Sequence, residues 1–234
     1  MPAVQQPTRT QQFLATVTDL WHLSPQMRRI AVSAPEIAEQ HWPLGCDIAI
    51  VLAAPDREVR RRYTVRSVST DTMLVDAVLH GHGPGSSWAA GLRIGDPVSF
   101  FGPRGQLPLP AADWLLALTD ESGLPAVGAL AEAAEAAGRT IRVLAEVSGP
   151  AERYPLAEAA TVSWLTRGDA AAGQADLLAA AAAELDPLPG SGYGYVLGES
   201  RAVVSLRDQL NRLGLHRTAI YAKGYWNLNA RPTR

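Results

Sequence analysis

Up to a Gly/Pro-rich connector at 102–113, the chain is a series of short apolar runs rich in β-branched residues. They are MRRIAVSA (27–34), CDIAIVLAA (46–54), RRRYTVRSV (60–68), TMLVDAVLH (72–80) and DPVSFFG (96–102), divided by Pro, Gly, Asp and Ser. Such a series predicts strands and, taken together, an antiparallel barrel or sandwich. From Trp114 the period changes. WLLALT reads as a buried strand, and Leu124, Val127, Leu130, Ala131 and Ala134 follow at helical spacing until Gly138. TIRVLAEV, ATVSWLTR, GYGYVLGES and RTAIYAKGYW read as further strands. QADLLAAAAAEL (174–185) reads as a helix, the alanine-rich stretch 170–183 is helical by propensity, and Val203, Leu206, Leu210 and Leu213 share one face of another helix. Alternating strands and helices predict a parallel sheet covered on both faces. The expected architecture is an antiparallel β-barrel domain over 1–108, then an α/β domain with a parallel sheet over 109–234.

Composition narrows the chemistry. A net charge of −2 over 234 residues argues against a nucleic-acid partner. One cysteine, Cys46, excludes an intrachain disulfide, a cysteine-ligated cluster and a Cys-rich zinc site. Redox chemistry, if present, then needs an organic cofactor. The N-terminus is polar without a signal pattern, and no apolar run reaches the roughly 18–20 residues that span a bilayer. The expectation is a cytoplasmic monomer without membrane insertion. Lys223 is the sole lysine among 21 basic residues.

Candidate chemistry concentrates in VRRRYTVR, 59–66. Strand alternation puts Arg61 and Tyr63 on one face and Arg62, Thr64 and Arg66 on the other. A guanidinium beside a phenol suits a flavin dinucleotide: one bridges phosphate oxygens, the other lies against a flat heteroaromatic ring. An arginine-rich edge strand is the bland alternative. The next strand ends in VLHGHGPGSSWAAG, 78–91, where glycines let the backbone approach a ligand and Ser86 or Ser87 can cap a helix starting at or just before Trp88. In the second half, TDESGLPA, EVSGP and GES fall at strand ends, where open parallel sheets bind ligands.

RRYTVR (61–66), VLHGHGPGSSWA (78–89), GDPVSFFGPRG (95–105), DESGLPA (120–126), LGES (197–200) and KGYW (223–226) occur in the order seen in siderophore-interacting proteins. The chain resembles that family of FAD-dependent ferric-siderophore reductases, allied to the ferredoxin–NADP reductase fold. The resemblance implies that Arg61 holds the FAD pyrophosphate, Tyr63 packs on the isoalloxazine and Thr64 contacts its redox-active edge. Leu79, His80, Gly81, Gly85, Ser86, Ser87 and Trp88 would hold the remaining phosphate and ribose. Asp120, Glu121, Ser122, Gly198, Glu199 and Ser200 would border a nicotinamide nucleotide, with Tyr225 and Trp226 near the flavin. Thr119 stands where the family usually carries glycine, and a side chain there would narrow the nicotinamide approach.

The expected reaction passes electrons from NADPH (or NADH) through FAD to a ferric siderophore, with no catalytic protein nucleophile or base and no protein-bound metal. Glu146 could bond a ribose 2′-hydroxyl; Arg142, Arg153 or Arg167 could hold a 2′-phosphate; the expectation leans to NADPH. Arg66, Arg104 and Lys223 are the cations expected to capture an anionic siderophore. Two other readings remain: a flavin reductase of this fold serving ferredoxin or an oxygenase, and a non-catalytic flavin- or siderophore-binding protein. GSGYG (190–194) precedes a strand and reads as a loop, and the His80/His82 pair lacks an acidic partner for a metal.

Overall fold

A computed structural model of the chain describes residues 11–54, 57–79, 83–186 and 189–228. They divide into two compact units, one ending at Leu107 and one beginning at Pro108, with Leu23–Gln26 grouping with the second.

The first unit is a closed barrel. Its strands are β1 (Gln11–Ser24), β2 (Met27–Ser33), β3 (Asp47–Ala54), β4 (Arg57–Ser69), β5 (Thr72–Val78) and β6 (Pro97–Arg104), in the order β1-β2-β5-β4-β3-β6. A single turn, α1 (Pro35–Ala38), follows β2, and α2 (Pro84–Gly91) follows β5. Strand β6 runs antiparallel to both β1 and β3, which closes the barrel. Strand β1 is absent from the sequence expectation. It forms because Phe13, Ala15 and Val17 are buried and their neighbours exposed, an alternation weakened by the small Ala15 and the exposed Leu14. Phe13 stacks on Phe100 at 5.0 Å between ring centroids. Fully burying a side chain such as Phe100 contributes about 2–3 kcal/mol.

Strand β4 does not alternate throughout. Val65 pairs with Val75 but Ser67 pairs with Leu74, so Arg66 is the extra residue of a bulge. The bulge lets Thr64, Val65 and Arg66 all be buried.

The second unit carries β7 (Trp114–Thr119), α3 (Leu124–Ala136), β8 (Ile141–Val147), β9 (Ala160–Thr166), α4 (Asp176–Ala183), β10 (Gly192–Glu199), α5 (Ser200–Arg212) and β11 (Ile220–Trp226). The strands form one parallel sheet in the order β11-β10-β7-β8-β9. Helix α3 begins with Leu124 and Pro125, where a missing N–H costs nothing, and gives way to Gly138 at φ +66°. Helix α5 buries Ala202, Val203, Leu206 and Leu210, while Leu213 falls past its last turn and is exposed. The expected helix QADLLAAAAAEL (174–185) forms as α4, Asp176–Ala183, while the alanine-rich residues from 170 to 175 do not join it. Gly173 sits at φ +84° against Glu199 and Trp226, a backbone conformation and contact that a continuing helix would not permit. Strand order reverses between β7 and β10, so the C-terminal ends of these two strands form the switch point at which such sheets bind ligands.

Candidate functional site

In the barrel unit, strand β4 and helix α2 bring together the arginine–tyrosine face and the glycine-rich loop. A Cβ built on Gly85 would lie 2.7 Å from the Tyr63 hydroxyl oxygen and 3.5 Å from Arg61 Cγ. Only bare backbone fits there. The Tyr63 and Trp88 rings meet at 5.4 Å between centroids, tilted 48°. Burial pushes the Tyr63 phenol up to about 12, against the pull of Arg61, so it is a neutral hydroxyl at neutral pH.

Helix α2 starts earlier than its serines suggest. Gly83 is the N-cap and Pro84 opens the helix, so Ser86 and Ser87 lie in the first turn and do not cap it. Pro84 has no N–H, and Ser87 N–H donates to Gly83 O. The amides of Gly85 and Ser86 are then the donors at the helix start, where the helix dipole also favours an anion. Arg28 holds the other end of α2, donating to Ala89 O (2.6 Å), Ala90 O (3.0 Å) and Leu92 O (3.2 Å). Sequence reasoning missed this anchor, because nothing local in MRRIAVSA points to a helix 60 residues away. His80 and Gly81 lie outside the described residues; Leu79 is half-buried against the barrel core.

The four arginines of VRRRYTVR (59–66) separate in space. Arg60 pairs with exposed Glu58 at 2.7 Å and covers the Phe101 ring at 4.2 Å. Arg61 faces α2, Arg62 is exposed, and Arg66 is 6% exposed at the bulge. Arg66 is therefore a buried barrel residue. Arg104 is exposed at the end of β6. Thr64 is buried on β4, paired in register with Asp47, which on its other side pairs with Arg104.

In the second unit, Asp120 ties three strand ends together. Its Oδ1 accepts from Ser122 N–H (2.9 Å) and the Ser122 hydroxyl. Its Oδ2 accepts from Glu199 N–H and from the Trp226 indole N–H, both at 2.9 Å. Gly198, at φ +154°, passes so close to this carboxylate that a Cβ would lie 2.7 Å from Oδ2. Glu199 caps α5 by accepting from Arg201 and Ala202 N–H. Burial pushes the Glu199 carboxyl up, but those amides and Leu228 N–H outweigh it and hold the group below its ordinary value. Ser200 donates to Trp226 O at 2.7 Å. Asp120, Glu146, Gly173, Gln174, Gly198 and Glu199, with Leu178, Leu197 and Leu206, line one small cavity of about 10 Å³ at the β7/β10 switch point, room for about one water molecule. Sequence reasoning passed over Gly173 and Gln174, which fall at the start of the expected helix and inside the alanine-rich stretch 170–183; the glycine within that run was the available signal.

Thr119 does not line this cavity. It is fully buried, and its hydroxyl donates to Asp120 O at 2.9 Å. Glu121 accepts Ser148 N–H at 2.8 Å and meets Arg167 at 2.7 Å. Burial pushes the Glu146 carboxyl up to about 7; Arg167, at 3.6 Å, pulls it down, and Glu121 and Asp120 push it further up. Arg142, second in β8, lies toward the opposite strand end from this cluster. Lys223 is half-buried on β11, its ammonium 4.9 Å from the Tyr225 ring centroid. Among the described residues no group of three or more His, Cys, Asp or Glu has metal-binding geometry, and no helix is long and apolar enough to cross a membrane.

A closed antiparallel barrel followed by a five-stranded parallel sheet is the fold also found in ferredoxin–NADP reductases. One similar structure is a Neisseria gonorrhoeae ferredoxin NADP+ reductase with bound FAD and NADP, at TM-score 0.70 and 20% identity, covering 92% of this chain and 99% of that one. Residues 48–107 match the siderophore-interacting FAD-binding domain, and residues 112–229 match the siderophore-interacting protein family. The chain belongs to the siderophore-interacting protein family. A siderophore utilization protein from T. fusca is similar at TM-score 0.85 and 26% identity, covering 95% of both chains. The siderophore-interacting protein SipS from Aeromonas hydrophila is similar at TM-score 0.81 and 27% identity, covering 96% of this chain and 94% of that one. The uncharacterized protein Rv2895c of Mycobacterium tuberculosis is 37% identical, over 79% of this chain and 70% of its own length.

Proposed function

We propose that this chain is an FAD-dependent oxidoreductase that passes electrons from NAD(P)H to ferric siderophores in the cytoplasm and so releases ferrous iron. The observation that carries the reading is the meeting of Arg61, Tyr63 and the bare backbone of Gly85 at the start of α2. These residues fit a flavin dinucleotide. Arg61 and the Gly85 and Ser86 amides would hold its diphosphate, because a guanidinium and a helix start both complement phosphate charge. Tyr63, neutral and beside Trp88, offers a flat apolar wall to the ring system. Thr64 on the same strand would meet the ring edge, and Leu79 through Trp88 the rest of the phosphate and ribose.

The chemistry that FAD supplies when bound is the conversion of a two-electron hydride donor into single-electron deliveries. The chain's own residues bind and orient. Asp120 aligns the ends of β7, β10 and β11, and in this reading Glu121, Ser122, Gly198, Glu199 and Ser200 at those ends would border the donor nucleotide. Trp226 is held by Asp120 and Ser200 at its edge. Exposed Arg104 and half-buried Lys223 are cations suited to an anionic acceptor. Buried Arg66 suits that role less well and is assigned to the barrel.

An anaerobic titration tests this reading. The purified protein should be yellow, bleach on addition of NADH or NADPH, and regain colour with a ferric siderophore and not with oxidised ferredoxin. A colourless product that takes up no FAD would refute it. Bleaching followed by recovery with ferredoxin alone would move the acceptor to an electron-transfer protein. Flavin retained without bleaching would leave a binding protein.

A further inference from the structure

NADH and NADPH differ by one phosphate on the adenosine ribose, and the second unit contains a donor pair suited to such an anion. Ser148 N–H stands at the end of β8, and the Arg167 guanidinium directly after β9. Both are already taken. Glu121 accepts Ser148 N–H at 2.8 Å, and its carboxylate lies 2.7 Å from Arg167 Nη1. The Arg167 side chain is only 10% exposed, with Glu146 3.6 Å away on its other contact. A carboxylate of the chain itself therefore fills the place an incoming phosphate would need.

Resting on the reading that a nicotinamide nucleotide docks at these strand ends, we propose that Glu121 is a specificity-determining residue that selects NADH against NADPH. To bind, a 2′-phosphate must displace Glu121 from two partners while facing Glu146, and like charges brought together in a partly buried site are strongly unfavourable. An unphosphorylated ribose instead presents hydroxyl donors, which the carboxylates at these strand ends can accept. This choice reverses the lean toward NADPH drawn from the sequence, where Arg167 stood among the 2′-phosphate candidates. In the folded chain that arginine is neutralised. Arg142 lies toward the other end of β8, and Arg153 is exposed beyond the short turn Pro150–Glu152.

The test uses the flavin-loaded full chain and two probes, adenosine 5′-monophosphate and adenosine 2′,5′-bisphosphate, titrated by calorimetry. The wild-type protein should bind the monophosphate at least about tenfold more tightly, the scale expected of like-charge exclusion. Glu121→Gln should narrow that ratio to about threefold or less by removing the negative charge that neutralises Arg167 and repels a phosphate, and adding Arg167→Gln should restore it. Equal wild-type affinities, tighter bisphosphate binding, or an unchanged ratio in a folded Glu121→Gln protein would each overturn the proposal. The wild-type ratio stands as a test even if the variant fails to fold. Anaerobic flavin reduction separates this inference from the one beneath it. Equal reduction by both donors removes the selection and leaves the reductase reading intact. Reduction by dithionite but by neither nucleotide removes the nucleotide site, and the selection with it.

Discussion

The two units treat negative charge in opposite ways. In the barrel, Arg61 and Tyr63 pack against Gly85 at the start of α2, and Arg61 Nη1 donates to a neutral carbonyl, Arg60 O, at 3.0 Å; the proposed reading leaves its charge for an anion from outside. In the sheet unit, the strand-end donors are satisfied from within: Asp120 takes the amides of Ser122 and Glu199 and the Trp226 indole, and Glu121 takes Ser148 and Arg167. The first arrangement suits a dinucleotide diphosphate held tightly. The second suits a ligand that brings hydroxyl donors and is released each cycle. In the proposed reading, the basic motif thus becomes a site that takes an anion, and the acidic motif one whose donors already have carboxylates.

The contrast predicts a graded set of effects. The largest is expected for Arg61→Ala, which removes a charge-assisted contact to phosphate and should weaken FAD binding about 10- to 100-fold, read as flavin retained per protein after gel filtration. Asp120→Asn keeps the shape but removes acceptor capacity beneath Glu199 N–H and the Trp226 indole. It should lower stability by about 2 kcal/mol in denaturant unfolding and shift tryptophan emission, while flavin content falls far less than in Arg61→Ala. If both variants lose flavin alike, the division of labour between the units is wrong.

Gly85→Ala comes next. Its methyl group must displace the Tyr63 hydroxyl, so FAD affinity should fall by about 1–2 kcal/mol, whereas Gly91→Ala, with open space around it, should leave the affinity unchanged. Glu146→Gln sharpens the other side. The folded chain holds this carboxyl at about 7, above the ordinary carboxylate value, so between those limits the native state binds the proton more tightly than the unfolded chain does. The Glu146 contribution therefore erodes stability as pH rises from about 4.5 through 7. Glu146→Gln should accordingly raise the melting temperature at pH 8, by an amount equivalent to about 1 kcal/mol, and leave it nearly unchanged at pH 4. The smallest effect is expected of Lys223→Ala: colour retained, and turnover with anionic ferric siderophores reduced about two- to fivefold at low salt. Unchanged turnover would remove Lys223 from the acceptor site.

Much of the fold was legible because its signals are local. Period-two runs, helical spacing in α3 and α5, and glycine at Gly138 each report on a few neighbouring residues. Strand β1 escaped because alternation through Ala15 carries little apolar contrast, and it closes the barrel only by pairing with β6, far along the chain. The residues before α4 escaped because alanine propensity favours a helix, while contact of Gly173 with Glu199 and Trp226 overrides it. The face assignment in β4 held for Arg61 and Tyr63, which meet Gly85 together, but failed at Arg66, where a bulge turns one residue inward.

By itself the sequence determined which chemical groups were available: an arginine–tyrosine strand, a glycine-rich helix start, and acidic residues at the ends of parallel strands. Residue types and short spacings decide that much, because hydrogen-bonding capacity and backbone freedom belong to each residue. Whether a given charge faces outward or is consumed was decided only by the tertiary structure. Arg61, Arg66 and Arg167 are the same side chain, and one is turned toward a bare glycine, one is folded into a bulge, and one is paired with Glu121. Electrostatic availability depends on what lies within a few ångströms, and those neighbours come from distant parts of the chain.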